Sequence, residues 1–271
     1  IELSSFQLET VKNIDTKISI ITNLSNDHLD RYENIKDYID QKKNIITKTG
    51  INIISIDDIY SRKIYLKKNI KNKICFSTHD SSADIYMSKD FILDNYFNRN
   101  KKLYIKNISR DLYGNFNNQN IIIAYICCKL LKISLKNFLY VIKNYKGLPF
   151  RSNTIFENKK LIITNNSKAT NLNSTINSII NHNKIYLILG GIAKDRNFEI
   201  IAKYKEKICF VYVYGKSAKL IENKLKKLIN IKKFKNLKLV LREVFNDLKL
   251  DKNQSSVLFA PACSLTINMI I

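Results

Sequence analysis

The chain has 271 residues and a formal net charge of +23, enough length for two domains that each bury a core. Its 45% hydrophobic and 25% charged residues are ordinary for a globular protein, and no run of about 18 apolar residues is present to read as a membrane span. The charge raises the question of nucleic acid, but the lysines are spread along the whole chain with abundant Asn and Ile, as in AT-rich coding sequence, and no helix-turn-helix, zinc or RNP-type pattern accompanies them, so no nucleic-acid partner is expected.

Residues 1–10, IELSSFQLET, read as a strand end entering a Ser/Thr-rich loop, with Glu2 either a surface carboxylate or a ligand. Residues 18–22 form a short apolar strand that runs into Asn23-Leu24-Ser25-Asn26-Asp27-His28-Leu29-Asp30-Arg31. Polar clusters at the carboxyl end of a buried strand are where α/β sheets place chemistry. His28, flanked by carboxylates, is therefore a candidate metal ligand. From Ile35 to Ile46 the apolar residues recur at helical spacing, and Lys42 falls on that apolar stripe, four residues after Tyr38. A snorkelling lysine explains that position as well as a functional one does. Residues 51–56 read as another strand, followed from Ser61 to Asn107 by short strands and lysine-rich turns in which His79 and Asp80 read as surface residues. Gly114-Asn115-Phe116-Asn117-Asn118-Gln119-Asn120 precedes a helix through Ile121–Leu131, and its asparagines can cap that helix or offer amides to a ligand. A second helix spans about Leu135 to Asn144.

Gly147-Leu148-Pro149 is a break, because proline fixes its own φ and drives the preceding residue out of the helical region. Beyond a polar turn at Glu157-Asn158, strands at 161–165, 185–189, 208–213, 237–241 and 256–260 alternate with helices near 171–181, 197–205, 217–228 and 243–249. That alternation predicts a parallel, Rossmann-like sheet. The strand at 161–165 ends in Asn165-Asn166-Ser167-Lys168-Ala169-Thr170-Asn171, suited to a helix N-cap. Ile188-Leu189-Gly190-Gly191-Ile192-Ala193-Lys194 reads as an anion site or as a tight turn. Gly215-Lys216-Ser217 is not a phosphate-binding loop, since that motif needs glycine where Phe210 stands. The five cysteines, Cys75, Cys127, Cys128, Cys209 and Cys263, form no Cys-x-x-Cys pair and read as reduced thiols of a cytoplasmic protein without a signal peptide.

Taken together, Glu2-Leu-Ser-Ser-Phe-Gln-Leu-Glu, Asn-Asp-His28-Leu-Asp-Arg, Tyr38-x-x-x-Lys42, Asn117-x-x-Asn120, Gly147-Leu-Pro-x-Arg151, Asn165-x-Ser-Lys168-Ala-Thr170-Asn, Leu-Gly-Gly-x-x-Lys194 and Ala260-Pro-Ala-Cys-Ser264 resemble the Mur ligases, within them the branch that adds D-glutamate. The resemblance runs from Glu2 to about Leu265. It implies an α/β chain: a partial central ATP- and Mg2+-binding domain in residues 1–147, then a Rossmann-like domain for D-glutamate in 148–271. It implies an ATP-dependent amide ligase of peptidoglycan synthesis that acts on UDP-N-acetylmuramoyl-L-alanine, D-glutamate and ATP, as a monomer in the cytoplasm. Glu2, His28 and a carbamylated Lys42 would hold Mg2+. Asn117, Asn120, Arg151 and Asn166 would meet the nucleotide. His28, Lys42 and Lys168 would serve catalysis, and Thr170, Lys194 and Ser264 would bind D-glutamate. The sequence departs from the family's pattern at Phe116 and Phe150, where the family has His, at Asn166, where it has Asp, and at Ile192, where an Asp is common. The pattern also ends after Leu265. Because the family's phosphate-binding loop precedes Glu-Leu-Ser-Ser, the resemblance implies that this loop and the UDP-binding domain lie outside these residues, and that the chain alone does not turn over ATP. Another amide ligase of the superfamily, such as a folylpolyglutamate synthetase, and a non-catalytic remnant are the alternatives.

Overall fold

The computed structural model describes residues 1–11, 15–25, 31–88, 90–112, 115–251 and 254–265, without the side chains of residues 110, 115 and 116. The chain divides into two compact units, Ile1–Ser109 with Asn115–Asn144, and Arg110–Gly114 with Tyr145–Ile271.

The first unit opens with α1 (Ser5–Thr10), where a strand end and loop were expected. A capping box explains the helix: the Ser4 side chain accepts from the Gln7 N–H, and the Gln7 side chain accepts from the Ser4 N–H at 2.8 Å. Next come β1 (Ile18–Ile21), α2 (Ile35–Lys43), β2 (Ile51–Ser55), α3 (Ile59–Tyr65), β3 (Lys73–Ser77), β4 (Ile85–Ser88), β5 (Phe91–Asp94), β6 (Lys101–Tyr104), α4 (Asn115–Leu130) and α5 (Leu135–Asn144). Helix α3 occupies part of the stretch read as strands and turns. Its signal is Asp58, whose carboxylate accepts from the N–H groups of Tyr60 and Ser61. The sheet runs β1-β2-β3-β4-β5-β6. Its first four strands are parallel, and β4, β5 and β6 form an antiparallel meander. Asn52 sits inside the apolar β2 fully buried. Its amide accepts from Ser19 and Thr47 and donates to the carbonyls of Thr47 and Lys71, so the polar group is satisfied without interrupting the strand.

In the second unit β7 (Asn153–Glu157), β8 (Leu161–Asn165), α6 (Leu172–Ile180), β9 (Ile185–Gly190), a 3-10 helix at Phe198–Lys207, β10 (Ile208–Tyr214), α7 (Ala218–Leu225), β11 (Ile231–Lys233), α8 (Leu237–Leu250) and β12 (Ser255–Phe259) follow in order. One expectation is corrected here. Residues 237–241 belong to a helix, because Val240 and Val244 recur at helical spacing and Asn236 caps the first turn through the Leu239 N–H. The neighbouring strand is instead the three-residue, lysine-rich β11, parallel to β10. Strand β7, where no element was expected, runs into the polar turn at Glu157-Asn158 and lies antiparallel along β8. The order is β11-β10-β9-β12-β8-β7, parallel throughout except for β7. Alternation assigns the two faces. Ile185, Leu187, Leu189, Val211 and Val213 pack with residues of α6, the 3-10 helix and α7. Tyr186, Ile188, Tyr212 and Tyr214 pack with Val240 and Val244 of α8. Both faces are covered, so β9 is buried along its whole length, as a central parallel strand requires.

Candidate active site

The site residues fall into two groups, one in each unit. In the first unit α2 aims Lys42 at the chain's beginning: its Nζ donates to the Leu3 carbonyl at 3.1 Å, beside Glu2. The half-buried lysine is thus joined to the segment carrying the candidate carboxylate, while Glu2 itself is exposed. His28 lies outside the described residues, but the residues on either side of 26–30 are held by side-chain bonds. The Leu24 N–H donates to Asp58 at 3.1 Å. On the far side, Arg31 bonds Glu9 at 2.8 Å, Tyr32 donates to the same carboxylate at 2.5 Å, and the Arg31 guanidinium lies over the Phe6 ring. Hydrogen bonds from Tyr32 and Arg31 hold the Glu9 carboxyl below its ordinary pKa. Glu9, Tyr32 and Asp58 were not singled out from the sequence, although Glu9 stands within the first motif.

Mg2+ prefers oxygen donors. Among the described residues no three His, Cys, Asp or Glu side chains gather as a metal cage. What the chain brings together is the Leu3 carbonyl and the Lys42 nitrogen, with Glu2 next to Leu3 in sequence. An ammonium cannot ligate a cation. A carbamate on that nitrogen would supply an oxygen donor beside the Leu3 carbonyl, the donor type that Mg2+ takes.

At the start of α4 the two asparagines share a face, with Asn120 Nδ2 donating to Asn117 Oδ1 at 3.3 Å. Asn117 is buried and Asn120 exposed. Between them in sequence, Gln119 donates to Asp57 at 2.9 Å. Asp57 follows β2, and its side chain is only 6% exposed. Burial pushes its pKa up, but the hydrogen bonds from Ser77, Gln119 and Thr78 outweigh burial and hold the carboxyl below its ordinary value. Asp57 was also missed: a carboxylate after an apolar strand was visible, but its partners on β3 and α4 were not.

In the second unit the loops after β8, β12 and β9, adjacent strands, meet at their carboxyl ends, the usual ligand position of an open parallel sheet. Main-chain bonds tie them together. The Asn166 N–H donates to the Phe259 carbonyl at 2.8 Å, Ala262 to Ala169 at 2.9 Å, and Gly190 to Pro261 at 3.1 Å; Ile192 and Ser264 exchange bonds of 2.9 and 3.0 Å. This places Lys168 and Thr170, Lys194, and Ser264 on three linked loops. Lys168 and Lys194 are exposed, Thr170 and Ser264 half-buried. Gly190 and Gly191 have φ of +151° and +133°, and a Cβ on Gly191 would stand 2.5 Å from the Ser264 carbonyl oxygen, so glycine is what permits the close approach. The third loop is fixed further by Ser217, whose hydroxyl accepts from the Ala193 N–H at 2.8 Å, and by Asp195, which accepts from the Leu172 N–H at 3.2 Å. Burial, with Asp195 adding to it, pushes the Cys263 thiol up to about 12, so this cysteine is unreactive filling beneath the site.

Arg151 closes a turn in which its N–H donates to the Leu148 carbonyl, and its side chain is exposed. The turn leans on the first loop: the Lys168 N–H donates to the Phe150 carbonyl at 3.1 Å, with Phe150 at a φ of +67°. Asn166 is 8% exposed. Its Oδ1 accepts from the Ser152 N–H at 3.2 Å, and its Nδ2 donates to Ser178 Oγ at 2.6 Å. Both ends of that amide are therefore engaged inside the fold.

Residues 1–128 match the family model described as the Mur ligase middle domain. The chain is 32% identical over 272 residues to the UDP-N-acetylmuramoylalanine–D-glutamate ligase of Rickettsia bellii, an alignment covering 97% of this chain and 60% of that protein. It is 34% identical to the protein of that name from Buchnera aphidicola subsp. Acyrthosiphon pisum, covering 97% and 59%. Thus the chain spans about 60% of the length of the curated relatives it matches. Among solved structures it resembles MurC from Thermotoga maritima, with a TM-score of 0.70 and 17% identity over 96% of this chain and 59% of that one. MurF from Acinetobacter baumannii gives 0.70 and 16% over 95% and 59%. With its first sheet matched to a Mur ligase domain and its sequence aligned to such ligases along nearly its full length, this chain belongs to the Mur ligase family.

Proposed function

We propose that this chain carries the metal-, nucleotide- and D-glutamate-handling parts of an ATP-dependent ligase that joins D-glutamate to UDP-N-acetylmuramoyl-L-alanine in peptidoglycan synthesis. The observation that carries the reading is the convergence of Lys168–Thr170, Lys194 and Ser264 on three main-chain-linked loops, since a cationic and hydroxyl-bearing strand-end cluster suits an amino-acid carboxylate. In this reading ATP phosphorylates the L-alanyl carboxylate, and the D-glutamate amine displaces phosphate from the acyl phosphate, forming the amide.

Asn117 and Asn120 would meet the adenine, and Arg151 the nucleotide phosphates. Lys168 would steady the charge of the transferring phosphoryl group. Lys194, Thr170 and Ser264 would hold D-glutamate so that its amine faces the acyl phosphate. Mg2+, when held by Glu2, His28 and carbamylated Lys42, supplies charge neutralisation to the phosphoryl oxygens. Asn166 has a second role beside its proposed nucleotide contact, because its amide braces Ser152 and Ser178. Among the described residues no helix is long and apolar enough to cross a membrane. A cytoplasmic, monomeric enzyme without a nucleic-acid partner completes the proposal.

The test is NMR titration of the chain with D-glutamate. The amides of residues 168–170, 191–194 and 264 should shift together, and Lys194→Ala should weaken binding by about tenfold or more, as expected for a carboxylate that loses its charged partner. Absence of shifts in these loops, or equal binding by Lys194→Ala, would overturn the assignment of D-glutamate to this cluster.

A further inference from the structure

We propose that Asp57 is a positioning residue for nucleotide recognition: through Gln119 it fixes the first turns of α4, and so the aim of Asn117 and Asn120. The inference rests on the nucleotide reading of those two asparagines. A helix advances about 100° per residue, so Asn117 and Asn120 share one face while Gln119 projects from the other side of the turn. A side chain held on that opposite side controls rotation of the turn about the helix axis. Gln119 is held: its Nε2 donates to Asp57 Oδ2 at 2.9 Å.

Asp57 can act as an anchor because it is itself immobilised. Ser77 Oγ donates to it, the Thr78 N–H lies 3.1 Å from both carboxylate oxygens, and Thr78 Oγ1 donates at 2.9 Å. With Gln119 there are four donors, the Thr78 N–H being shared between both oxygens, which matches the about four lone-pair sites of a carboxylate. An ionised carboxylate only accepts, so every donor around it is satisfied in one arrangement alone. The contacts thus run from the end of β3, through Asp57 just after β2, to the start of α4. His79 Nδ1, 3.3 Å from Asp57 Oδ1, covers its outer side. Further along α4 the Tyr125 hydroxyl donates to Asp94 at 2.7 Å.

The experiment compares Gln119→Ala, Asp57→Asn and their double variant with Asn117→Ala in the 271-residue chain. MgATP and MgGTP compete against a fluorescent ATP analogue, and amide hydrogen exchange is followed at residues 119–122. Gln119→Ala removes the clamp without disturbing the end of β3. It should weaken MgATP about tenfold, narrow the preference for ATP over GTP, and speed exchange at 119–122 while leaving β2 and β3 protected. Asp57→Asn should weaken MgATP at least as much, and the double variant should lose no more than Asp57→Asn alone, because the Gln119 contact is already broken in it. Asn117→Ala weakening ATP while Gln119→Ala leaves affinity and selectivity unchanged would overturn the inference and leave the nucleotide reading standing. No effect of Asn117→Ala, or no ATP binding by the unsubstituted chain, would overturn the nucleotide reading and this inference with it. A uniform loss of protection over the whole first unit, with the ATP-to-GTP ratio unchanged, would mark Asp57 as a fold-stabilising residue and refute its positioning role.

Discussion

Replacing Asn166 with alanine separates a bracing role from a ligand-contact role. The side chain is 8% exposed, receives the Ser152 N–H at 3.2 Å and gives a bond of 2.6 Å to Ser178 Oγ. The substitution leaves the Ser152 N–H without its acceptor in a half-buried turn, a loss of about 1–2 kcal/mol. Removing the donor to Ser178 costs about 1 kcal/mol, because Ser178 keeps its bond to the Ser174 carbonyl. The Asn166 N–H retains the Phe259 carbonyl, so the strand pairing survives. The total is about 2–3 kcal/mol. Urea unfolding of the second unit, followed by circular dichroism, reads it: with a slope of about 2 kcal/mol per M, the midpoint should fall by about 1–1.5 M. A midpoint unchanged within about 0.2 M, together with a large drop in ATP affinity, would refute the bracing argument. Aspartate should cost less than alanine, since a carboxylate can accept from both Ser152 and Ser178, provided the Ser178 hydroxyl turns away from Ser174.

Gly191→Ala should destabilise the second unit by more than about 2 kcal/mol, because its φ is +133° and the added Cβ meets the Ser264 carbonyl oxygen at 2.5 Å; a thermal midpoint equal to that of the unsubstituted chain would contradict this. Lys42 should form a carbamate: with 13C-labelled CO2 at alkaline pH, a carbamate resonance should be present in the chain and in Lys43→Ala but absent in Lys42→Ala. Its persistence in Lys42→Ala would move the modification elsewhere. The +23 charge is dispersed, so retention on DNA should disappear near ~200 mM salt; tight binding above that would establish a basic face.

Much of the fold was legible because buried parallel strands have a simple signature. Ile185–Gly190 is apolar throughout, and β10 alternates valine and tyrosine between two helix layers. The misreadings have physical causes. Leu237, Leu239 and Leu241 alternate like a strand, yet Val240, Val244 and the Asn236 cap make that stretch a helix. Ile231–Lys233 is too short and too charged to show any period, and becomes a strand only through its pairing with β10. Ser4 and Gln7 did carry a helix signal, the capping box, which was passed over for the polar composition around it. Lys42 could be picked out as a candidate because a lysine on an apolar stripe is out of place. Asp57 and Gln119 could not, because their significance lies in a contact between residues 62 positions apart.

The same distinction explains how the departures from the family's pattern fit the second unit. Sequence shows the loops at 165–171, 190–194 and 260–264 as three separate stretches. They come together because β12, the last strand among the described residues, inserts between β8 and β9. The bonds that join them are carried by main-chain atoms: Ile192 exchanges both of its bonds with Ser264 through N–H and carbonyl, Phe150 accepts Lys168 through its carbonyl, and Asn166 reaches Phe259 through its N–H. Main-chain bonds are the same whatever side chain the residue bears. Isoleucine at 192 and phenylalanine at 150 can therefore replace charged or titratable side chains without moving the loops. Glycine at 191 is different, because there the main chains approach so closely that any side chain collides. The frame should thus tolerate exchange at 150 and 192 and refuse it at 191, so whatever the two departures change must be read in ligand affinity rather than in stability.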